Sequence, residues 1–90
     1  MTTNDQLFIQ LLYIFHVSAM QSMGKLKNPV TDTIERDLEQ AKQSIGMLEM
    51  LKEKTKGNIS EEMSRTLDGF LTELRLNFVD ETAKDQTPAS

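Results

Sequence analysis

Apolar residues recur every three or four positions in two stretches of the chain, and a short polar segment separates these stretches. The first stretch carries Ile34, Leu38, Ala41, Ile45 and Leu48. The second stretch carries Met63, Leu67, Phe70, Leu71, Leu74 and Phe78. This spacing places the apolar side chains on one face of an α-helix. The pattern therefore predicts two long amphipathic helices.

The flanking residues predict the bounds of the first of these helices. It should begin near Thr31 or Asp32, because Asp32 with Glu35 three residues later resembles a capping box. Gly57 should end it, since glycine suits the left-handed residue that follows a helix. The lysines before Gly57 are interpreted as part of this structural turn, because cations are favoured at a helix C-terminus.

The second helix should follow Ser60, whose hydroxyl can cap the free N–H groups at its start. We expect it to end near Val79 or Asp80, where the apolar period stops. Residues 80–90 are polar, which predicts a disordered tail after a single helical domain of residues 1–79. The link between the two helices is so short that they should be antiparallel neighbours.

An uncharged apolar segment precedes this helical hairpin. No Asp, Glu, Lys or Arg occurs from Gln6 to Gly24, and a helix is predicted over residues 5–23, capped by Asn4 or Asp5. Its apolar side chains point almost all round the axis, which indicates burial on several sides. The expected fold is therefore all-α, with this helix filling the groove of the hairpin and retaining surplus apolar surface.

A second copy of the chain is the partner that we expect to cover this surplus surface, with a dimer favoured among homo-oligomers. The residues expected at this contact are Phe8, Ile9, Leu12, Phe15, Ser18 and Ser22. Ile9 and Leu12 are expected on the side that faces away from the hairpin. Ser18 and Ser22 lie four residues apart, and small residues at that spacing allow helices to approach closely.

Contact with lipid is the alternative that the same helix leaves open. A spanning helix needs about 20 predominantly apolar residues. The dense apolar run covers only residues 7–20 and includes Gln10, His16 and Ser18. A helix that crosses the membrane is therefore disfavoured, and the alternative function is a peripheral membrane protein that docks this helix on the lipid surface.

Residues outside the apolar stripes indicate a second surface, which an unidentified protein partner would bind. Met47, Met50 and Leu76 are apolar but lie off the stripes. Gly46 and Gly69 each cost about 1 kcal/mol relative to alanine inside a helix, and glycine outside a core suggests close approach of another backbone. Scattered exposed apolar residues are the plainer interpretation.

The composition removes several classes of function. Among 90 residues there is no Cys and one His, which excludes disulfides, thiol nucleophiles and multi-histidine metal clusters. The net charge of −4 argues against nucleic acid as a partner. His16 has no acid or thiol near it on its helix, so we interpret it as a packed or interfacial residue.

These exclusions predict no catalytic, cofactor-binding or metal-binding residue. The expected function is that of a non-enzymatic interaction or scaffold protein. A cytoplasmic location is expected, because the sequence shows neither a secretory signal pattern nor cysteine.

Short motifs in the second half of the chain resemble one known family. They are Ala-Lys-Gln-Ser-Ile at 41–45, Leu-Glu-Met-Leu at 48–51, Lys-Thr-Lys-Gly-Asn at 54–58, Glu-Glu at 61–62, Leu-Arg at 74–75 and Phe-Val at 78–79. Over residues 7–80 the chain resembles the small bacterial family catalogued as domain of unknown function 1844. Met63 departs from the family's pattern, in which this position is more often acidic. The resemblance implies an all-helical, cytoplasmic bacterial protein and assigns no activity or functional residue.

Overall fold

The structure is a computed structural model that describes residues 2–86. Three helices occupy most of this range. They are α1 (Thr3–Ser22), α2 (Leu38–Lys54) and α3 (Glu61–Gln86). The predicted all-α fold is confirmed. The predicted hairpin is formed by α2 and α3, and α1 packs against both of its helices.

A capping box starts α1. The Thr2 hydroxyl accepts a hydrogen bond from the Asp5 backbone N–H, and the Asp5 carboxylate accepts one from the Thr2 N–H, both at 3.1 Å. The prediction of Asn4 or Asp5 as the cap is therefore wrong, because Asp5 occupies the third position inside the helix. Beyond Ser22, Gly24 takes the left-handed conformation, at φ 79°, which is typical of the glycine that follows a helix.

The start of α2 differs from the prediction. Its N-cap is Asp37, whose carboxylate accepts a hydrogen bond from the Gln40 N–H at 3.2 Å. The helix does not begin near Thr31 or Asp32, because Asp32 has a φ of 55°, and this left-handed conformation is incompatible with a right-handed helix. α2 has 17 residues instead of the predicted length of about 25, which assumed that the heptad pattern began at Ile34.

Two backbone bridges close the loop that replaces the missing turns of α2. Met23 pairs with Arg36, and Asn28 pairs with Thr33, where the Asn28 N–H donates to the Thr33 carbonyl at 2.8 Å. The Asn28 side-chain amide donates to the Glu35 carboxylate at 3.1 Å, so Glu35 takes part in no capping box. These contacts satisfy backbone groups that a longer helix would have satisfied internally.

α3 continues past its predicted end near Asp80 and reaches Gln86. The prediction of a disordered tail is therefore wrong for residues 80–86. The reason is Glu81, which is only 5% exposed and anchors the additional turns through ion pairs. The rest of the predicted tail, residues 87–90, lies outside the described residues.

The hydrophobic core lies where the apolar faces of all three helices meet. Its buried members are Leu12, Ala19, Met23, Ala41, Ile45, Leu48, Leu67, Leu71 and Leu74. The stripes of α2 and α3 face each other as predicted, and Ser60 caps α3 by accepting a hydrogen bond from the Met63 N–H at 3.2 Å. Ile34 is 61% exposed, because it precedes α2 instead of lying within it.

Cross-helix contacts fix the directions of the helices. The hydroxyls of Ser18 in α1 and Ser44 in α2 lie 3.1 Å apart, whereas Ser22, one turn later on α1, accepts a hydrogen bond from Asp37 at the start of α2. These two helices therefore run antiparallel. His16 of α1 lies beside Glu73 of α3, and Lys25 beside Asp80, so α1 and α3 run parallel. The molecule measures 51 × 27 × 16 Å, and this flat shape leaves each helix with a solvent-facing side.

Candidate interaction surface

The larger apolar residues predicted for self-association face the hairpin. Leu12 is fully buried, and Phe8 and Phe15 pack against the core. The prediction that Leu12 faces away from the hairpin is therefore wrong. The physical reason is a heptad spacing of four, three and four positions through Phe8, Leu12, Phe15 and Ala19, which forms one stripe directed at α2 and α3.

The two serines predicted at the contact take part in packing within the chain. The Ser18 hydroxyl contacts that of Ser44, which is 2% exposed. The Ser22 carbonyl accepts a hydrogen bond from the Asp37 N–H at 2.7 Å. These small residues therefore allow α1 to approach α2 and the N-cap of α2 closely within one chain. Ile9, which was also expected to face away from the hairpin, is half-buried.

The solvent-facing side of α1 carries large apolar residues beside the glutamines Gln6 and Gln10, and it has no charged residue beyond Asp5. Leu7 is 55% exposed, Tyr13 58% and Ile14 61%, while Leu11 is 37% exposed. Leu7, Leu11 and Ile14 follow one another at four and three positions, so they share one side of the helix. This trio was not among the residues predicted for self-association, although it is the second of the two heptad stripes that the segment contains.

Exposed methionines of α2 lie at the level of part of this trio. Since the helices are antiparallel and Ser18 lies opposite Ser44, one turn back along α1 places Ile14 at about the level of Met47 along the helix axes. Met47 is 46% exposed and Met50 is 43% exposed. We name the surface formed by Leu7, Leu11, Ile14, Met47 and Met50 the α1–α2 face.

Leu76 does not belong to the α1–α2 face, although the sequence pattern predicted one partner surface for Leu76, Met47 and Met50. It follows the buried Leu74 by two residues and therefore lies on the opposite side of α3. It is 68% exposed. The predicted surface of Met47, Met50 and Leu76 is thus divided between two sides of the molecule.

Ion pairs between helices concentrate on α3. Glu49 of α2 pairs with Arg75 at 3.3 Å, and Lys52 pairs with Asp68 at 2.7 Å. Among residues 2–86, no ion pair joins α1 to α2. The α1–α2 face is therefore the side of the molecule with the least charge pairing.

His16 lies between α1 and α3, as the sequence predicted for an interfacial histidine. Its ring centroid is 4.5 Å from that of Phe70 and 6.1 Å from that of Tyr13. Its Nε2 lies 3.3 Å from a carboxylate oxygen of Glu73, and its buried Nδ1 has no hydrogen-bond partner among the described residues. The aromatic neighbours and the carboxylate hold the ring in place between the two helices.

A buried carboxylate that the sequence analysis missed ties the loop to α3. Glu81 contacts Lys25 Nζ at 2.8 Å, Arg36 Nε at 3.0 Å and Lys84 Nζ at 2.7 Å. Hydrogen bonds from Lys25 and Lys84, with a smaller one from Arg36, lower the pKa of Glu81 to about 2 despite its burial. We name these four residues the Glu81 cluster, and its role is structural.

Within residues 2–86, no group of three or more metal-ligating side chains is brought together. None of the three described helices has the length and hydropathy needed to cross a membrane.

The geometry defines a three-helix protein with exposed apolar residues on α1 and α2. The family model described as "Domain of unknown function (DUF1844)" matches residues 5–80. This match covers most of the chain, so the protein belongs to that family, as its motifs indicated. No curated protein and no solved structure matches the chain.

Proposed function

We propose that this protein is a non-enzymatic interaction or scaffold subunit that forms a two-fold dimer through α1. The observation that carries the proposal is the exposed apolar side of α1, with Leu7, Tyr13 and Ile14 each more than half exposed. No charged residue follows Asp5 on this helix. The cysteine-free sequence supports a cytoplasmic location as part of the same proposal.

Burial of this side of α1 would stabilise a small protein. Removing a whole leucine or isoleucine side chain from water gains about 1.5–3 kcal/mol. Leu7 and Ile14 are already partly covered, so each has about 1 kcal/mol left to gain. A chain of 90 residues buries only about two-thirds of its unfolded surface, so a gain of this size is a substantial part of its stability.

A second copy fits this surface better than lipid does. Helices that lie on membranes usually carry Lys and Arg on their polar side, whereas the polar side chains of α1 beyond Asp5 are uncharged at neutral pH, mainly glutamine and serine. The net charge of −4 is repelled by anionic lipid. An uncharged apolar patch can pack on its own copy across a two-fold axis without like-charge contacts.

Sedimentation analysis of the full chain with two matched variants tests the proposal. Ile14→Glu places a charge on the outer side of α1, and Val79→Glu places the same charge on α3, at a side chain of similar exposure, 63% against 61%. The wild type should be a dimer at tens of micromolar. Ile14→Glu should weaken dimerisation by about 30-fold or more, because the charge becomes unpaired in an apolar interface, while Val79→Glu should remain dimeric.

The contrary outcomes are equally specific. A folded wild-type monomer at tens of micromolar, without detergent, overturns the proposal. If that monomer also sediments with vesicles containing anionic lipid, and Ile14→Glu abolishes this binding, the helix is a membrane-docking element. Equal dissociation caused by both variants would place the interface elsewhere.

A further inference from the structure

The outer side of α2 carries a row of residues that is symmetric about its centre. The row lies on the side of the helix opposite the buried Ala41 and Leu48, and all of its members are exposed. Its members are Glu39, Gln43, Gly46, Met47, Met50 and Lys54. We call this set the outer row of α2.

An antiparallel copy of the outer row matches it position by position. If a two-fold axis passes between Gly46 and Met47, Gln43 lies opposite the partner's Met50. Glu39 then lies opposite the partner's Lys54, so that an acid meets a base at each end of the row. Among residues 2–86, neither Glu39 nor Lys54 forms an ion pair within the chain.

The space above Gly46 supports the same arrangement. A Cβ atom at Gly46 would meet nothing within 4 Å, so packing within the chain does not require glycine there. Glycine nevertheless costs about 1 kcal/mol in a helix interior. The flexible side chain of the partner's Met47 suits the gap that this glycine leaves.

The outer residues of α1 are also symmetric about the level of Gly46 and Met47 along the helix axes. Because Ser18 lies opposite Ser44 in the antiparallel pair, the point between Gly46 and Met47 lies beside the point between residues 15 and 16 of α1. Ile14 and Val17 are equidistant from that point, and so are Gln10 and Gln21. A single axis therefore pairs α1 with the partner's α1 and α2 with the partner's α2.

We infer that the dimer interface is the whole α1–α2 face together with the outer row of α2, packed antiparallel on a second copy with Met47 over the partner's Gly46. This inference rests on the proposed self-association and extends it from α1 to α2. The 20 residues of α1 span about 30 Å. A face of that length and two helices wide approaches the ~800 Å² per partner of a stable interface.

Charge reversal at the ends of the outer row tests the inference by sedimentation. Glu39→Lys and Lys54→Glu should each weaken dimerisation by about tenfold, because each places two like-charge pairs in the symmetric interface. The double variant recreates the pairs with opposite polarity and retains the net charge of −4, so its dissociation constant should return to within about threefold of the wild-type value. Glu53→Lys, which changes the net charge as Glu39→Lys does, is the matched control and should not weaken the dimer.

A pair of glycine variants tests the centre of the row. A Cβ atom at Gly69 of α3 also meets nothing within 4 Å, so Gly46→Leu and Gly69→Leu make the same change at two open helix positions. Both should raise the melting temperature of the monomer, because leucine is the better helix former. Only Gly46→Leu should weaken the dimer, by about tenfold or more, because it fills the space for the partner's Met47.

Failure of this inference is distinguishable from failure of the proposed function. A wild-type dimer that Ile14→Glu dissociates, but that is unchanged by the charge reversals and by Gly46→Leu, overturns the α2 contact and leaves self-association through α1 intact. Loss of affinity in both single reversals without recovery in the double variant also overturns the Glu39–Lys54 pairing. A monomeric wild type overturns both proposals.

Discussion

Arg36 and Glu81 join the loop after α1 to the far part of α3 across 45 positions of the chain. Arg36 Nε donates to the Glu81 carboxylate at 3.0 Å, and Arg36 Nη2 donates to the Glu81 carbonyl at 2.9 Å. Lys25 and Lys84 contact the same carboxylate. A buried carboxylate with three cationic partners stabilises the fold only while those partners remain.

Glu81→Gln should therefore destabilise the protein. The substitution keeps the shape of the side chain but removes the charge that pairs with Lys25, Arg36 and Lys84. Since these cations are partly exposed and can recover water, we expect a loss of about 1–3 kcal/mol in the free energy of unfolding. Urea denaturation measures it, with the exposed Glu53→Gln as control. Equal stability of both variants would show that the Glu81 cluster contributes nothing.

The pKa of Glu81 also predicts a dependence of stability on pH. Its pKa falls from an ordinary 4.5 to about 2 in the folded chain, so the unfolded chain binds the proton more readily. The stabilisation is thus complete above about pH 4.5 and is lost as the pH falls toward 2. Between these values the free energy of unfolding should decline more steeply for the wild type than for Glu81→Gln. Parallel curves would contradict the shift.

Truncated chains test whether the helical residues 82–86 contribute to the stability of the fold. A chain that ends at Glu81 loses Lys84 and Asp85, and Asp85 contacts Arg36 at 2.9 Å. We expect a loss of about 1 kcal/mol and a fall of several degrees in melting temperature. A chain that ends at Gln86 keeps these contacts and is the control. If thermal denaturation finds the two truncations equal, residues 82–86 add no stability.

Leu74 and Leu76 provide a matched pair for the core of the hairpin. Leu74 is fully buried and Leu76 is 68% exposed, two residues apart on α3. Leu74→Ala should cost about 2–5 kcal/mol, as Leu48→Ala in α2 should, because each leaves a cavity. Leu76→Ala should cost less than about 1 kcal/mol. A loss under about 1 kcal/mol for both Leu48→Ala and Leu74→Ala would contradict the packing of the two stripes.

The hairpin could be predicted from the sequence because its helices obey a local rule. A residue such as Leu48 or Leu74 is buried wherever the three-to-four spacing continues, and both sides of the hairpin show that spacing. Ile34 fits the same spacing but lies outside α2. Its conformation depends on the bridge between Met23 and Arg36, a contact between distant residues that periodicity does not reveal.

The orientation of α1 was harder to predict for a related reason. Without charged residues, only a narrow stripe of Gln6, Gln10 and Gln21 marks the solvent side of the segment, and its two apolar heptad stripes differ little in hydropathy. The stripe through Leu12 is buried because it meets the groove of the hairpin, which is a property of the assembled fold. Glu81 was missed because a single acid near the end of a helix resembles a solvated residue until Arg36 and Lys25 are placed beside it.

The closed base of the loop between α1 and α2 makes its tip a site where the chain can be lengthened. The Asn28–Thr33 bridge holds the strand-like ends together, while Val30 beyond it is 90% exposed and outside the core. Because each doubling of a loop costs only about 0.6 kcal/mol in closure entropy, a peptide inserted after Val30 leaves the contacts of the helices intact. The tip therefore offers a position for an inserted affinity tag or fluorescent label outside both the core and the α1–α2 face.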